Sequence, residues 1–178
     1  MKKILLAALL ISISAPISRA QDVPAADVSV GYSYLFVAKG FTLSMNGGSS
    51  AVSFNVNHWI GIVGDLGVYD GSSGIPGLIG ETYMAGPRFS LRRWNRLIPF
   101  AQGLIGGAHA NTTSGGFLGA HNAFGLGGGA GGDLALDRGG KFALRGQIDL
   151  INFRANGNNT GTVRLSAGFV FHIARRSQ

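Results

Sequence analysis

The sequence has no cysteine, few charged residues and little proline. Without cysteine among its 178 residues, the chain forms no disulfide framework and no thiolate metal site. Charged residues make up 13%, whereas about a quarter is usual in soluble domains. Proline occurs 5 times and glycine 30 times, so the chain is rich in glycine without resembling collagen or a linker. An ordinary soluble surface is therefore not expected.

Long hydrophobic runs are also missing. Lys2 and Lys3 precede an apolar or small run at 4–13, and small residues lead up to Ala20. This pattern predicts a secretory signal peptide, residues 1–20, cleaved after Ala20. A run of about ten residues is too short for a membrane helix, which needs about 20. Three of the 15 basic residues belong to the predicted signal peptide. The net charge of +7 of the full chain therefore does not indicate a nucleic-acid partner.

Beyond the signal, apolar residues alternate with polar or small ones. Val28, Val30 and Tyr32, for example, alternate with Ser29 and Gly31. A period of two is typical of β-strands that have one apolar and one polar face. It predicts strands at residues 28–36, 52–56, 60–68, 83–91, 142–150 and 163–173. Residues 98–110 and 122–136 fit the alternation less cleanly, and they bring the number of predicted strands to eight.

The predicted connections alternate in length. Long loops are expected at residues 39–48, 71–80, 111–119 and 155–161. Short turns are expected at residues 57–59, 92–96 and 137–140. Outer-membrane barrels have short periplasmic turns and long outer loops. Trp59 and Trp94 fall at the short turns, where aromatic residues mark a lipid interface.

The scarcity of charge indicates which face points outward. A soluble barrel would bury its apolar face and cover its outside with charge, so we predict the opposite orientation, with apolar faces toward lipid. The inward faces then carry three acidic and three basic residues, namely Asp65, Asp133, Asp149, Arg88, Arg145 and Arg164. Charges in a narrow lumen need partners to offset desolvation. We therefore predict a lumen charge network in which Asp149 pairs with Arg145 or Arg164.

These patterns predict an all-β fold, an eight-stranded up-and-down antiparallel transmembrane β-barrel that follows a cleaved signal peptide. The barrel domain is expected at residues 28–173. A short periplasmic segment, 21–27, would precede it, and a tail, 174–178, would follow it.

Several motifs resemble the small outer-membrane β-barrel family. They are Asn-Val-Asn-His-Trp-Ile-Gly at 55–61, Gly-Pro-Arg-Phe at 86–89, Pro-Phe at 99–100, Gly-Gly-Ala-His-Ala at 106–110 and the ending Arg-Leu-Ser-Ala-Gly-Phe-Val-Phe at 164–171. The chain is most similar to the version abundant in environmental Gram-negative bacteria such as acidobacteria, and more distantly to OmpA/OmpX-type barrels. The resemblance covers residues 28–173. It implies an outer-membrane location, contact with outer-membrane lipids and lipopolysaccharide, and insertion by the barrel insertion machinery.

No motif points to a reaction, a cofactor or a metal. Gly125 to Ala130 match the dinucleotide fingerprint GxGxxA, but no helix pattern follows, so a barrel strand is predicted. His109 and His121 flank one outer loop and could meet as a weak metal site, although the spacing is not that of a metal motif. No histidine begins the His-x-Ser element of the lipid A deacylases that share this architecture. We predict a non-enzyme without catalytic, cofactor or metal residues.

Basic residues collect at the periplasmic end of the predicted barrel. They are Arg92, Arg93, Arg96, Arg138, Lys141, Arg175 and Arg176. Two interpretations stay open for them, namely solvated turn charge and contact with anionic lipid headgroups.

The expected role is membrane anchoring or envelope integrity, with outer loops that make surface contacts. Eight strands leave a lumen filled by side chains, which argues against a general porin. Two alternatives stay open, a narrow passive pore and a soluble periplasmic barrel that carries lipid. The sequence names no ligand and does not fix the oligomeric state, although a monomer is expected.

Overall fold

The chain folds as one closed sheet of antiparallel strands. The computed structural model describes residues 23–39, 41–71, 78–94, 96–112, 121–137, 140–155 and 157–176. The strands are β1 Val23–Lys39, β2 Phe41–Asn55, β3 Ile60–Asp70, β4 Leu78–Ser90, β5 Leu97–Thr112, β6 His121–Ala135, β7 Phe142–Ala155 and β8 Asn158–Arg176. Each strand pairs with the next, and β8 pairs with β1. The predicted up-and-down β-barrel is confirmed.

The two terminal strands are longer than the apolar alternation suggests. β1 begins at Val23, within the segment predicted as periplasmic, and β8 continues to Arg176, within the predicted tail. Val23 and Arg176 are register partners. Backbone pairing needs no side-chain pattern, so the ladder continues past the last alternating residues. The signal peptide and Ala20 lie outside the described residues. In the described part of the chain, no helix is long and apolar enough to cross a membrane.

The prediction of long outer loops is wrong for two of the four, those at residues 39–48 and 155–161. β1 pairs with β2 up to Lys39 and Phe41, and β7 pairs with β8 up to Ala155 and Asn158. Gly157 has a φ of 81° in the second of these tight turns, a conformation that glycine adopts without steric cost. Polar Gly-, Ser- and Asn-rich stretches look like loops in sequence, but here they extend the strands. Longer segments do separate β3 from β4 and β5 from β6.

The side chains alternate across the barrel wall as predicted. Leu66 is 60% exposed, whereas its neighbour Asp65 is 4% exposed. The outside is apolar on every strand, with exposed side chains that include Val30, Phe54, Ile62, Leu66, Phe89, Ile105, Leu126, Leu150 and Phe169. A soluble lipid carrier would need the opposite orientation, with its apolar faces around a central cavity.

Glycines on the inner face of β6 make room for side chains from neighbouring strands. A Cβ at Gly131 would lie 2.6 Å from the Phe100 ring, and one at Gly125 would lie 2.8 Å from the Phe153 ring. Pairing on both sides fixes the register of this strand, with Gly129 opposite Gln102 on β5 and Asp149 on β7. Side chains of neighbouring strands therefore occupy the space that a Cβ at Gly125 or Gly131 would need.

Candidate functional site

The six charged residues predicted for the lumen all lie on its inner face and are all buried. They are Asp65 on β3, Arg88 on β4, Asp133 on β6, Arg145 and Asp149 on β7, and Arg164 on β8. Each comes from a position that alternates with an exposed apolar residue. These six charged side chains thus lie inside a barrel whose outer wall is apolar.

Arg164 is the centre of this network. Its Nη1 and Nη2 donate to the two carboxylate oxygens of Asp65, at 2.5 and 3.1 Å. Its Nε donates to Oδ2 of Asp149 at 2.9 Å. Arg164 and Asp149 are both 0% exposed. One guanidinium therefore joins β8 to β3 and β7 across the lumen, and Asp149 pairs with Arg164 rather than with Arg145.

Arg145 pairs with a different carboxylate. Its Nε and Nη2 donate to the two oxygens of Asp133, each at 2.7 Å. Its Nη1 donates to the Ser29 hydroxyl at 3.2 Å. This two-point geometry is the arrangement that arginine and carboxylate groups favour.

Arg88 differs from the predicted pairing, because its guanidinium bonds to neutral groups. Nε and Nη2 donate to the amide oxygen of Gln102 at 3.0 and 2.7 Å, and Nη1 donates to the Ser53 hydroxyl at 2.8 Å. The guanidinium also lies 4.4 Å from the centre of the Phe100 ring, a stabilising cation–π contact. Gln102 in turn donates to Asp149 at 2.9 Å. A neutral amide thus links Arg88 to the carboxylate network.

A second polar cluster lies at the end of the barrel that carries the short β2–β3 and β4–β5 turns. Asp27 contacts Nδ1 of His172 at 2.5 Å and accepts a hydrogen bond from Asn55 at 3.0 Å. Arg92, in the β4–β5 turn, donates to Asn55 and to the backbone oxygen of His58. Burial lowers the pKa of the Arg92 guanidinium, and the charge of Asp27 opposes this shift. The sequence did not reveal this cluster, because Asp27 fell in the segment predicted to precede the barrel.

Apolar side chains fill the rest of the lumen. Ala51, Val63, Met84, Leu104 and Ile151 form one buried cluster, and Leu35, Met45, Tyr69 and Leu78 form another toward the end opposite the short turns. Beside the charge network, a cavity of about 20 Å³ is lined by Ser29, Asp65, Arg145, Gln147 and Ser166, among others. That is room for about one water molecule. Charged, polar and apolar side chains thus share the interior of the barrel.

The remaining predicted sites are dispersed. Trp59 and Trp94 are both exposed and lie in the short β2–β3 and β4–β5 turns. His109 bonds to Asn122, and the side chain of His121 lies outside the described residues. No group of three metal-ligating residues occurs in the described part of the chain. His172 contacts Asp27 at the other end of the barrel, so His109 and His172 belong to separate polar groups.

Solved structures with this architecture are known outer-membrane proteins. Neisserial surface protein A aligns with a TM-score of 0.72 at 14% identity, covering 84% of this chain and 97% of that one. OprG of Pseudomonas aeruginosa aligns with a TM-score of 0.58 at 9% identity, covering 85% and 96%. The fold is that of the small outer-membrane β-barrels. The N-terminal barrel of OprF from the same bacterium aligns with a TM-score of 0.54 at 16% identity, covering 85% and 100%.

No protein-family model and no curated protein matches the sequence, so the likeness lies in three-dimensional structure. It confirms the resemblance to small outer-membrane β-barrels at the level of fold. The apolar outer wall and this fold together place the chain in an outer membrane. The role of the barrel there depends on its lumen and its surface.

Proposed function

We propose that this outer-membrane barrel is a non-conducting, non-enzymatic anchor that supports the envelope and holds its outer hairpins at the cell surface. The observation that carries the proposal is the filled lumen. Arg164 bonds to two carboxylates at the centre, and Leu35, Met45, Tyr69 and Leu78 pack toward the outer end. A barrel of eight strands is just wide enough for such side chains. Charged and apolar groups that fill the cross-section oppose the passage of solutes.

The outer hairpins supply the surface part of this role. β1 and β8 pair as far as Ala38 and Gly161, whereas β2 and β3 pair only as far as Asn46 and Asp70. The β1–β2 hairpin therefore extends beyond β3, because β2 pairs with β1 as far as Phe41. This hairpin would present contacts to a partner outside the cell.

The membrane location has a direct test in cells that express the full chain. We expect the protein in the outer-membrane fraction, where it should migrate differently on SDS gels before and after boiling. A closed barrel resists SDS because its backbone hydrogen bonds are all satisfied within the sheet. Recovery from the soluble periplasm, without a heat-dependent shift, would contradict the proposal.

The narrow-pore alternative is separated by single-channel recording in planar bilayers. We expect the unmodified barrel to insert without conductance steps. The variant Met45→Ala/Tyr69→Ala removes two large side chains of the outer apolar cluster. Conductance steps from this variant would show that the charge network alone does not seal the lumen. The lipid-facing variant Leu66→Ala serves as the matched control. Reproducible steps from the unmodified barrel would make the pore the better function.

A further inference from the structure

The β4–β5 turn carries a groove that the anchoring role does not use. The groove has a volume of about 660 Å³ and is lined by Arg93, Trp94, Arg96 and Leu97. All four side chains are exposed. Two guanidinium groups thus stand beside an indole ring and a leucine, at the end of the barrel where the turns are short.

The turn is held in place by its neighbours. The amide of Ser90 donates to the backbone oxygen of Trp59 at 2.8 Å, and the amide of Leu91 donates to that of Pro99 at 2.8 Å. Arg92 reaches across to the β2–β3 turn and donates to the backbone oxygen of His58 at 2.9 Å. The groove is therefore built on a fixed frame rather than on a free loop.

The two guanidinium groups of the groove have no acidic partner in the part of the chain that the structure describes. Among the described residues, no carboxylate lies within ion-pair distance of Arg93 or Arg96. The acidic group buried nearby, Asp27, is occupied by His172 and lies 3.8 Å from Arg92. The groove therefore offers positive charge that is free to meet an external anion.

We propose that this groove binds the headgroup of an anionic phospholipid from the periplasmic leaflet. Arginine matches a phosphate through paired N–H donors. Trp94 and Leu97 provide the apolar surface that the first carbons of an acyl chain would contact, and tryptophan favours this depth of a bilayer. An inorganic anion would use the arginines but gain nothing from the apolar wall. The proposal rests on the membrane orientation given above, in which the short turns are periplasmic.

The chain provides its own reporter for this site. It contains 2 tryptophans, so Trp59→Phe leaves Trp94 as the one tryptophan, which is excited selectively and lies beside the two arginines. The folded barrel is placed in phosphatidylcholine vesicles that contain brominated phosphatidylglycerol or, separately, brominated phosphatidylcholine. We expect the anionic lipid to quench Trp94 more strongly at the same mole fraction. Arg93→Gln and Arg96→Gln should each reduce this preference by about fivefold.

A matched variant distinguishes binding in the groove from a general effect of positive charge on the barrel. Arg154→Gln removes an exposed arginine from the far end of β7 and should leave the preference unchanged. Equal quenching by the two lipids, or an unchanged preference in the Arg93→Gln/Arg96→Gln variant, would overturn the proposal. So would displacement of the lipid by inorganic phosphate but not by sodium chloride of equal ionic strength. A silent barrel without lipid preference would contradict only the groove, whereas a conducting barrel would contradict only the anchoring role.

Discussion

Arg164→Met is expected to lower the free energy of unfolding by about 3–5 kcal/mol, because a buried ion pair loses one member. Asp65 and Asp149 would both stay in the lumen without the cation that now bonds to them at 2.5 and 2.9 Å. Methionine fills much of the same space, so the loss comes from charge rather than from a void. Urea unfolding of the folded barrel in detergent measures the change.

Two further variants test the cause of this loss. Arg154→Met removes an exposed arginine from β7 and should change stability by less than about 0.5 kcal/mol. The triple variant Arg164→Met/Asp65→Asn/Asp149→Asn removes the charges together and should recover a large part of the loss, since neutral replacement of a whole buried network costs little. Equal stability of Arg164→Met and the unmodified barrel would show that the network is not buried as described.

Gly129→Ala is expected to destabilise the barrel by about 1–3 kcal/mol, as overpacking of a filled interior does. The new methyl group would collide with the carboxylate of Asp149 and would lie 2.7 Å from the backbone oxygen of Ile148. The carboxylate would have to move away from Gln102 and Arg164, which both donate to it. The same urea titration measures this effect.

Gly146→Ala is the matched control for this substitution. Gly146 lies on β7, and a Cβ placed there meets nothing within 4 Å. The free energy of unfolding of the Gly146→Ala variant should stay within about 0.5 kcal/mol of that of the unmodified barrel. Similar losses at Gly129 and Gly146 would mean that the effect comes from the strand backbone and not from the space beside Asp149.

The strand count, the antiparallel order and the outward apolar face could be predicted, because the alternation in a stretch such as Ile60–Asp70 is nearly complete. The lengths of the hairpins could not be predicted from the sequence. Residues 41–48 carry serine, asparagine and glycine that favour loops, but pairing with β1 holds them in β2. In these residues, the backbone hydrogen bonds to β1 outweigh the local preference for a loop.

The charged residues of the lumen could be chosen from the sequence, but their partners could not. Which carboxylate meets Arg164 depends on the position of β8 relative to β3 across the lumen. Arg164 and Asp65, which bond to each other, lie 99 positions apart in the sequence. Gln102 and Ser53, which bond to Arg88, are neutral, so the charge pattern of the sequence does not mark them as its partners. Only the three-dimensional register identifies them.

The lumen network takes at least one side chain from every strand, from Ser29 on β1 to Arg164 on β8. It therefore has consequences for the order of assembly. In a sheet that has not yet closed, bonds between neighbouring strands, such as that of Arg145 to Asp133, can already form. The bonds of Arg164 to Asp65 and of Arg145 to Ser29 need the closed barrel, because they join β8 to β3 and β7 to β1. An open sheet therefore leaves the carboxylate of Asp65 without its cation, and we expect this cost to keep open forms from accumulating during assembly.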